Sequence, residues 1–168
     1  MRSGRVAYRV KQFASAFTVL MRPQERDEVE RLLLPEELVL FYGMRRPALR
    51  HALQVYRLLR LQGTPDRDLL AAALLHDVGK GRVTVAHRVA AVLLETSAPA
   101  LLDRIASPMG PRWRQGFFFH RHHAELGAEL VERAGSNPTV VALVRDHHRE
   151  GRASLPGLTE LQKADEDS

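Results

Sequence analysis

The chain has 168 residues, of which 45% are hydrophobic and 27% are charged, a balance typical of one globular domain with a sizeable core. It contains no cysteine, which excludes disulfides and thiolate metal sites and leaves His, Asp and Glu as the side chains that could hold a metal. The net charge of +5, carried mostly by arginine, favours anionic partners such as nucleotides, phosphorylated metabolites or nucleic acid.

The N-terminal residues are positively charged, but Arg9 and Lys11 interrupt the apolar run that a signal peptide requires. No segment approaches the roughly 18 uncharged apolar residues of a membrane-spanning helix. The sequence therefore predicts a soluble, cytoplasmic protein without a membrane partner.

Helical periodicity recurs along the first half of the chain, and no alternating strand pattern of useful length appears. Pro23, Pro35 and Pro47 stand where proline favours the first turn of a helix. Apolar residues at helical spacing before Met21 predict a cationic amphipathic helix that packs on its own domain. The helices predicted in this half span residues 4–21, 23–33, 35–43, 47–62 and 65–78, the last capped by Thr64.

The second half of the chain also indicates helices only. Two are predicted over residues 83–96 and 99–107, before a clear break at residues 108–111. A long helix over residues 113–134 ends at Gly135, and Ser136 is the expected cap of the next. The remaining helices lead to the paired histidines at 147–148 and carry Leu158, Leu161 and Asp165. The fold class predicted is all-α, a single-domain helical bundle.

Candidate metal ligands occur on successive major helices of this predicted bundle. His76 and Asp77 end an apolar helix, with Gly79 positioned for a turn and Lys80 positioned to meet a phosphate. A bundle can direct one side chain from each of several helices to a shared interior point. Nitrogen and oxygen ligands without sulfur suit Mn, Fe, Mg, Co or Zn. The candidate ligands are His51, His76, Asp77, His123, His147 and Asp165.

The order of these residues resembles the His…His-Asp…His…His…Asp signature of the HD-domain metal-dependent phosphohydrolases. The segment LLHDVGK, residues 74–80, closely matches the HDIG-type subgroup of that family. HAELGAEL, residues 123–130, is similar to the third motif of the subgroup, and VRDHH, residues 144–148, resembles the fourth. Ala164-Asp165 resembles the last motif, and the ordered set is more specific than any one motif alone.

The resemblance covers roughly residues 48–165, and it implies a division of the chain. Residues 46–168 would form the HD-type metal-binding helical domain. Residues 1–45 would form an N-terminal helical extension packed on that core.

The resemblance also implies one or two divalent metal ions. The first ion would be held by His51, His76, Asp77 and Asp165. Asp77 would bridge to a second ion, whose other ligands would be His123 and His147.

Two of these assignments involve a choice between adjacent histidines. His123 is preferred to His122 because it lies four residues before the motif glycine, Gly127. His147 is preferred to His148 by position alone, and the two could exchange roles.

The resemblance implies that the protein hydrolyses a phosphate ester. The substrate would be a nucleotide or a related small molecule, and the ester could be a monoester or a diester. Asp77 would orient a metal-activated hydroxide, and Lys80 would offset charge on the transferring group. The segment after the paired histidines lacks the Gly-Tyr-Pro signature of the cyclic-dinucleotide branch, which argues against cyclic di-GMP. The candidate substrate contacts are Lys80, Arg145 and His148, with Arg50, Arg121 and Arg149 as further phosphate-clamp candidates.

An alternative from another functional class is a non-catalytic regulatory or nucleic-acid-binding module built on the same bundle. The basic charge balance and the cationic N-terminal helix favour it. A non-catalytic relative would be expected to lose ligands, however, and all six candidates are present. Nucleic acid is therefore not the favoured partner, and the sequence leaves the oligomeric state open.

Overall fold

The structure is a computed structural model that describes residues 21–64, 66–81, 83–149 and 155–168. Within these ranges every regular element is a helix and there is no strand, so the all-α prediction is confirmed. The predicted helix over residues 4–21 lies outside the described residues except for Met21. The described α-helices are α1 (Pro23–Leu32), α2 (Pro35–Gly43), α3 (Arg46–Leu61), α4 (Arg67–Leu75), α5 (Val85–Ser97), α6 (Pro99–Ile105), α7 (Arg112–Arg133), α8 (Pro138–Asp146) and α9 (Leu158–Glu166).

Helix α4 lies at the centre of the bundle. All of its residues from Leu69 to Leu75 are buried, and it packs against α3, α8 and α9. Apolar side chains of α1 and α2, including Val29 and Phe41, belong to the same buried core. None of the described helices combines the length and the apolarity needed to cross a membrane.

The predicted cap of α4 at Thr64 is wrong. The helix begins at Arg67, and Asp66 occupies the cap position. One carboxylate oxygen of Asp66 accepts hydrogen bonds from the backbone N–H groups of Asp68 (2.9 Å) and Leu69 (3.2 Å). A carboxylate suits this position because it satisfies two unpaired N–H groups beside the positive end of the helix dipole.

The predicted cap of α8 at Ser136 is also wrong, by one residue. Asn137 is the cap, and its side chain accepts a hydrogen bond from the N–H of Thr139 at 2.9 Å. Ser136 instead donates its hydroxyl to the buried carboxylate of Glu37 at 2.5 Å. The other oxygen of Glu37 accepts from the N–H of Leu34 at 2.7 Å, so a satisfied carboxylate joins the start of α2 to the α7–α8 turn.

The chain leaves α4 earlier than the periodicity predicts. Helix α4 ends at Leu75 rather than at Val78, and His76 and Asp77 form a turn. A short 3₁₀ helix, Val78–Lys80, follows. The turn directs both His76 and Asp77 into the interior, where neither side chain is more than 2% exposed.

Two glycines allow the 3₁₀ helix to lie directly on α7. A β-carbon at Gly79 would overlap the carbonyl oxygen of His123 and would lie 2.6 Å from the backbone nitrogen of Gly127. A β-carbon at Gly127 would lie 3.4 Å from the nitrogen of Gly79. This close approach brings His123 to the His76-Asp77 turn. It explains why the LLHDVGK and HAELGAEL motifs each have a glycine at the point of contact.

Tyr56 connects α3 to α1, and its ionisation should lower the stability of the protein at alkaline pH. Its side chain is buried, and its hydroxyl donates to Oε2 of Glu28 at 3.1 Å. Burial, followed by the hydrogen bond to Glu28, raises the pKa of Tyr56 from 10.0 to about 12. The folded-state pKa lies above the unfolded one, so this contribution is fully present below pH 10 and is lost as the pH rises from 10 through about 12.

We therefore expect the unfolding free energy of the protein to fall between about pH 10 and pH 12, and to fall less steeply in Tyr56→Phe. Urea titrations of both proteins across this range measure the difference. Equal slopes would show that Tyr56 does not contribute.

Candidate metal centre

The six predicted ligands converge at one place in the bundle, although they are spread over more than a hundred residues of sequence. They come from three α-helices, from the turn after α4 and from the residue after α8. His51 lies on α3, His123 on α7 and Asp165 on α9. His76 and Asp77 form the turn, and His147 directly follows α8.

The first group of ligand atoms lies around Nε2 of His76. Oδ1 of Asp165 lies 2.6 Å from Nε2 of His51 and 3.4 Å from Nε2 of His76. Oδ1 of Asp77 is 3.4 Å from Nε2 of His76, and Oδ2 of Asp77 is 4.0 Å from Nε2 of His51. The hydroxyl of Ser168 lies 2.9 Å from Nδ1 of His51, a contact that the sequence analysis missed. Nitrogen and oxygen atoms this close together can serve one cation.

The second group lies on the other side of Asp77. Nε2 of His123 is 3.9 Å from Oδ1 of Asp77. The ring centroid of His147 lies 5.2 Å from that of His76 and 5.3 Å from that of His123. Nitrogens of His123, His147 and His148 lie within 4.8 Å of one another. Asp77 is therefore the residue that both groups share.

The structure brings both of the paired histidines to this second group. His147 is buried, and its Nδ1 lies 2.7 Å from the carbonyl oxygen of Val144. His148 is more exposed, and its Nε2 lies 2.9 Å from Nε2 of His123. His148, predicted as a substrate contact and as the alternative to His147, lies where it could act as a ligand.

The buried histidines are held in orientations that suit metal binding. In His76, His123 and His147, Nδ1 lies 2.6–2.9 Å from the carbonyl oxygen three residues earlier, so an Nδ1–H donates there and Nε2 keeps its lone pair. Among the described residues, Nε2 of His76, Nε2 of His147 and Oδ1 of Asp77 are buried without a hydrogen-bond partner of good geometry. Such atoms are rare in folded proteins, and a bound divalent cation would satisfy them.

The charges in the site favour the metal-binding forms of most of these side chains. Burial would raise the pKa values of Asp77 and Asp165, but the neighbouring histidines, and Lys80 in the case of Asp77, hold both well below their usual range. Burial and the positive charge of Lys80 lower the pKa of His123 to about 3. Burial also lowers the pKa of His76, but the charge of Asp77 and its other partners raise it overall.

Lys80 is placed at the site as predicted, and it contacts Asp77 directly. Its Nζ donates to Oδ2 of Asp77 at 2.7 Å. A lysine ammonium has three N–H donors, so two remain after this contact. Lys80 also lines the cavity beside the site, where these donors could meet a phosphate.

None of the arginines predicted as phosphate contacts lines either of the two cavities beside the site. Arg145 lies on α8, and its side chain makes no hydrogen bond or ion pair within the described residues. Arg121 forms an ion pair with Asp103, and Arg149 forms one with Asp146 at 3.1 Å. Each of these arginines lies two residues from a predicted ligand in the sequence, but helix geometry turns residues at this spacing away from one another.

Two adjoining cavities, of about 280 and 190 Å³, open beside Asp77 and Lys80. His51 and Thr84 line the larger one, and Arg45 lines both. The sequence analysis missed Arg45, which belongs to no motif. The available signal was its position immediately before the helix that carries His51. The smaller cavity is also lined by apolar residues of α2 and the loop after it, Val39, Leu40 and Met44.

Comparison with known protein families agrees with the geometry of the site. The model of the HD domain matches residues 48–168, which include all six predicted ligands. No curated protein and no solved structure matches the chain significantly. The family match covers well over half of the 168 residues. The chain therefore belongs to the HD-domain superfamily of metal-dependent phosphohydrolases.

Proposed function

We propose that the protein is a metal-dependent phosphohydrolase that cleaves a phosphate ester of a nucleotide or a related small molecule. The observation that carries the proposal is the buried set of converging His and Asp side chains beside an open cavity. Lys80 lines that cavity and offers positive charge to an incoming phosphate. The cavity is small, which favours a low-molecular-weight substrate over a polymer.

The proposed ligand assignment follows the two groups of side chains. His51, His76, Asp77 and Asp165 would hold one divalent ion. A second ion would be held by His123 and His147 together with Asp77, and His148 is near enough to serve as an additional ligand or as a substrate contact. The nitrogen and oxygen donors suit Mn, Fe, Mg, Co or Zn. A cation in this site supplies activation of water and neutralisation of phosphoryl charge.

Asp77 and Lys80 have further roles in the proposal. The Asp77 carboxylate remains ionised at neutral pH because its pKa is depressed, so it can accept a hydrogen bond from the attacking water and fix its orientation. Lys80 holds one oxygen of this carboxylate and can donate its remaining N–H groups to the phosphoryl oxygens, where negative charge develops.

The proposed domain division assigns residues 46–168 to the metal-binding unit and residues 1–45 to an extension packed on it. It is supported by Val29 of α1 and Phe41 of α2, which are fully buried in the core shared with α4. The family match, which begins at residue 48, is compatible with this boundary.

The proposed activity is tested by phosphate release from a panel of mono-, di- and triphosphates, using protein loaded with Mn²⁺. We expect at least one compound to be hydrolysed, the activity to disappear with a chelator, and the activity to return when metal is restored. If no compound releases phosphate and the protein instead binds nucleic acid with a steep salt dependence, the non-catalytic alternative would replace this proposal.

A further inference from the structure

The start of α3 carries an unusual concentration of positive charge. Arg45 precedes the helix, Arg46 is its first residue, and Arg50 lies one turn later; all three are exposed. These residues are called the α3 arginines below. The first turn contains no acidic residue. Because the N-terminus of a helix already has a partial positive charge, arginines here do not favour the helix and need another explanation.

The other arginines of α3 are neutralised, in contrast to the α3 arginines. Arg57 forms a two-pronged ion pair with Glu25, with distances of 2.5 and 2.7 Å. Arg60 lies 3.6 Å from a carboxylate oxygen of Glu28. The side chains of the α3 arginines make no hydrogen bond or ion pair with any residue that the structure describes. The uncompensated charge therefore lies at the end of the helix that faces the cavities.

Arg45 is the member of this group that borders the site. It lines both cavities, together with Ala48, Asp77 and Lys80. No side chain caps α3, and Pro47 has no N–H, so the backbone N–H groups of Arg46 and Ala48 are the ones available at this end. Asp77 connects this region to the metal ligands, because it lines the same cavities and its buried Oδ1 has no hydrogen-bond partner among the described residues.

We propose that Arg45 is a substrate-positioning residue that binds a second phosphate group of the substrate, while the ligands around Asp77 hold the phosphate to be cleaved. A guanidinium can form paired hydrogen bonds with phosphate, and the free N–H groups of the α3 first turn add further donors. The inference rests on the proposed function and narrows the substrate class to small phosphate esters that carry a further phosphate.

The test compares binding of a series of alkanediol bisphosphates with that of the matched alkyl monophosphates, by calorimetry on Mn²⁺-loaded protein. A monophosphate reports the metal position alone, and a bisphosphate of suitable spacer length reports both positions. We expect the best bisphosphate to bind about 10- to 100-fold more tightly than its monophosphate partner. Arg45→Ala should remove that advantage and leave monophosphate affinity and metal content unchanged.

Arg60→Ala is the matched control, since Arg60 is an exposed arginine of the same helix with a carboxylate partner away from the cavities. It should leave the bisphosphate advantage intact, and Arg45→Lys should retain part of it. The inference is overturned if no bisphosphate gains affinity, if Arg45→Ala keeps the gain, or if that variant weakens both ligand classes equally.

Binding and turnover separate this inference from the proposed function. A gain in affinity that depends on Arg45, in a protein that hydrolyses neither ligand class, supports the phosphate subsite and counts against the hydrolase proposal. Metal-dependent hydrolysis without any affinity gain refutes the subsite and leaves the hydrolase proposal standing.

Discussion

Asp77→Asn is expected to lower metal-dependent phosphate release by at least about a hundredfold and to reduce the amount of bound metal. Residues that only orient a metal ligand typically contribute 10- to 100-fold, and Asp77 lies between both groups of ligands itself. Asparagine keeps the size of the side chain but removes the negative charge that a divalent cation, His76 and Lys80 all require. Steady-state kinetics, with metal content measured on the same samples, check this expectation.

The matched control is Asp68→Asn, which removes a half-buried carboxylate from the first turn of the same helix, α4. It should leave activity and metal content within about twofold of the parent protein, because Asp68 belongs to neither group of ligands. Circular dichroism should show that both variants keep the helical fold. Full activity in Asp77→Asn would remove Asp77 from the catalytic site.

Gly79→Ala is expected to destabilise the protein by about 3 kcal/mol or more, at or beyond the upper end of the usual cost of overpacking. The added β-carbon would overlap the carbonyl oxygen of His123 and approach the nitrogen of Gly127, and neither backbone atom can rotate away as a flexible side chain could. The 3₁₀ helix and α7 must therefore move apart. That movement separates His123 from Asp77, so we also expect metal binding to weaken.

Gly43→Ala provides the comparison for this variant. Gly43 is the last residue of α2, and a β-carbon there would meet no atom within 4 Å. Its unfolding free energy should change by less than about 1 kcal/mol, since only the conformational preference of the backbone differs. Denaturant titrations of the three proteins give the two differences, and similar values for both variants would refute the packing argument.

The sequence was sufficient to predict the fold class and to select six side chains that converge at one place, for a reason visible in the structure. Each ligand lies on or beside an amphipathic helix whose buried face is clear from its apolar spacing, as with His51 on α3. The family motifs then specify which polar residue on each helix points inward. The glycine of each motif, Gly79 or Gly127, marks the close contact that joins the 3₁₀ helix to α7.

The details that the sequence did not reveal depend on competition between neighbouring groups. Thr64 and Ser136 both resemble helix caps, but Asp66 and Asn137 lie closer to the actual first turns, and Ser136 is drawn to the buried Glu37. Local pattern cannot identify such a partner, because Glu37 lies 99 residues away in the chain.

Arg45 and Arg145 show that local sequence pattern also fails to identify which arginines lie at the site. Arg145 was favoured because it lies two residues before a predicted ligand, but a helix turns neighbouring residues in different directions. Arg45 borders the cavities because the loop before α3 and the 3₁₀ helix line the same space, an arrangement that no local motif records.

Side chains from across the chain are proposed to hold divalent cations at one buried point. The most direct measurement is anomalous scattering from a crystal of the protein grown with Mn²⁺. We expect a strong anomalous peak among His51, His76, Asp77 and Asp165, with a second position next to His123 and His147. A well-ordered crystal without anomalous density at either position, or with manganese bound only elsewhere, would contradict it.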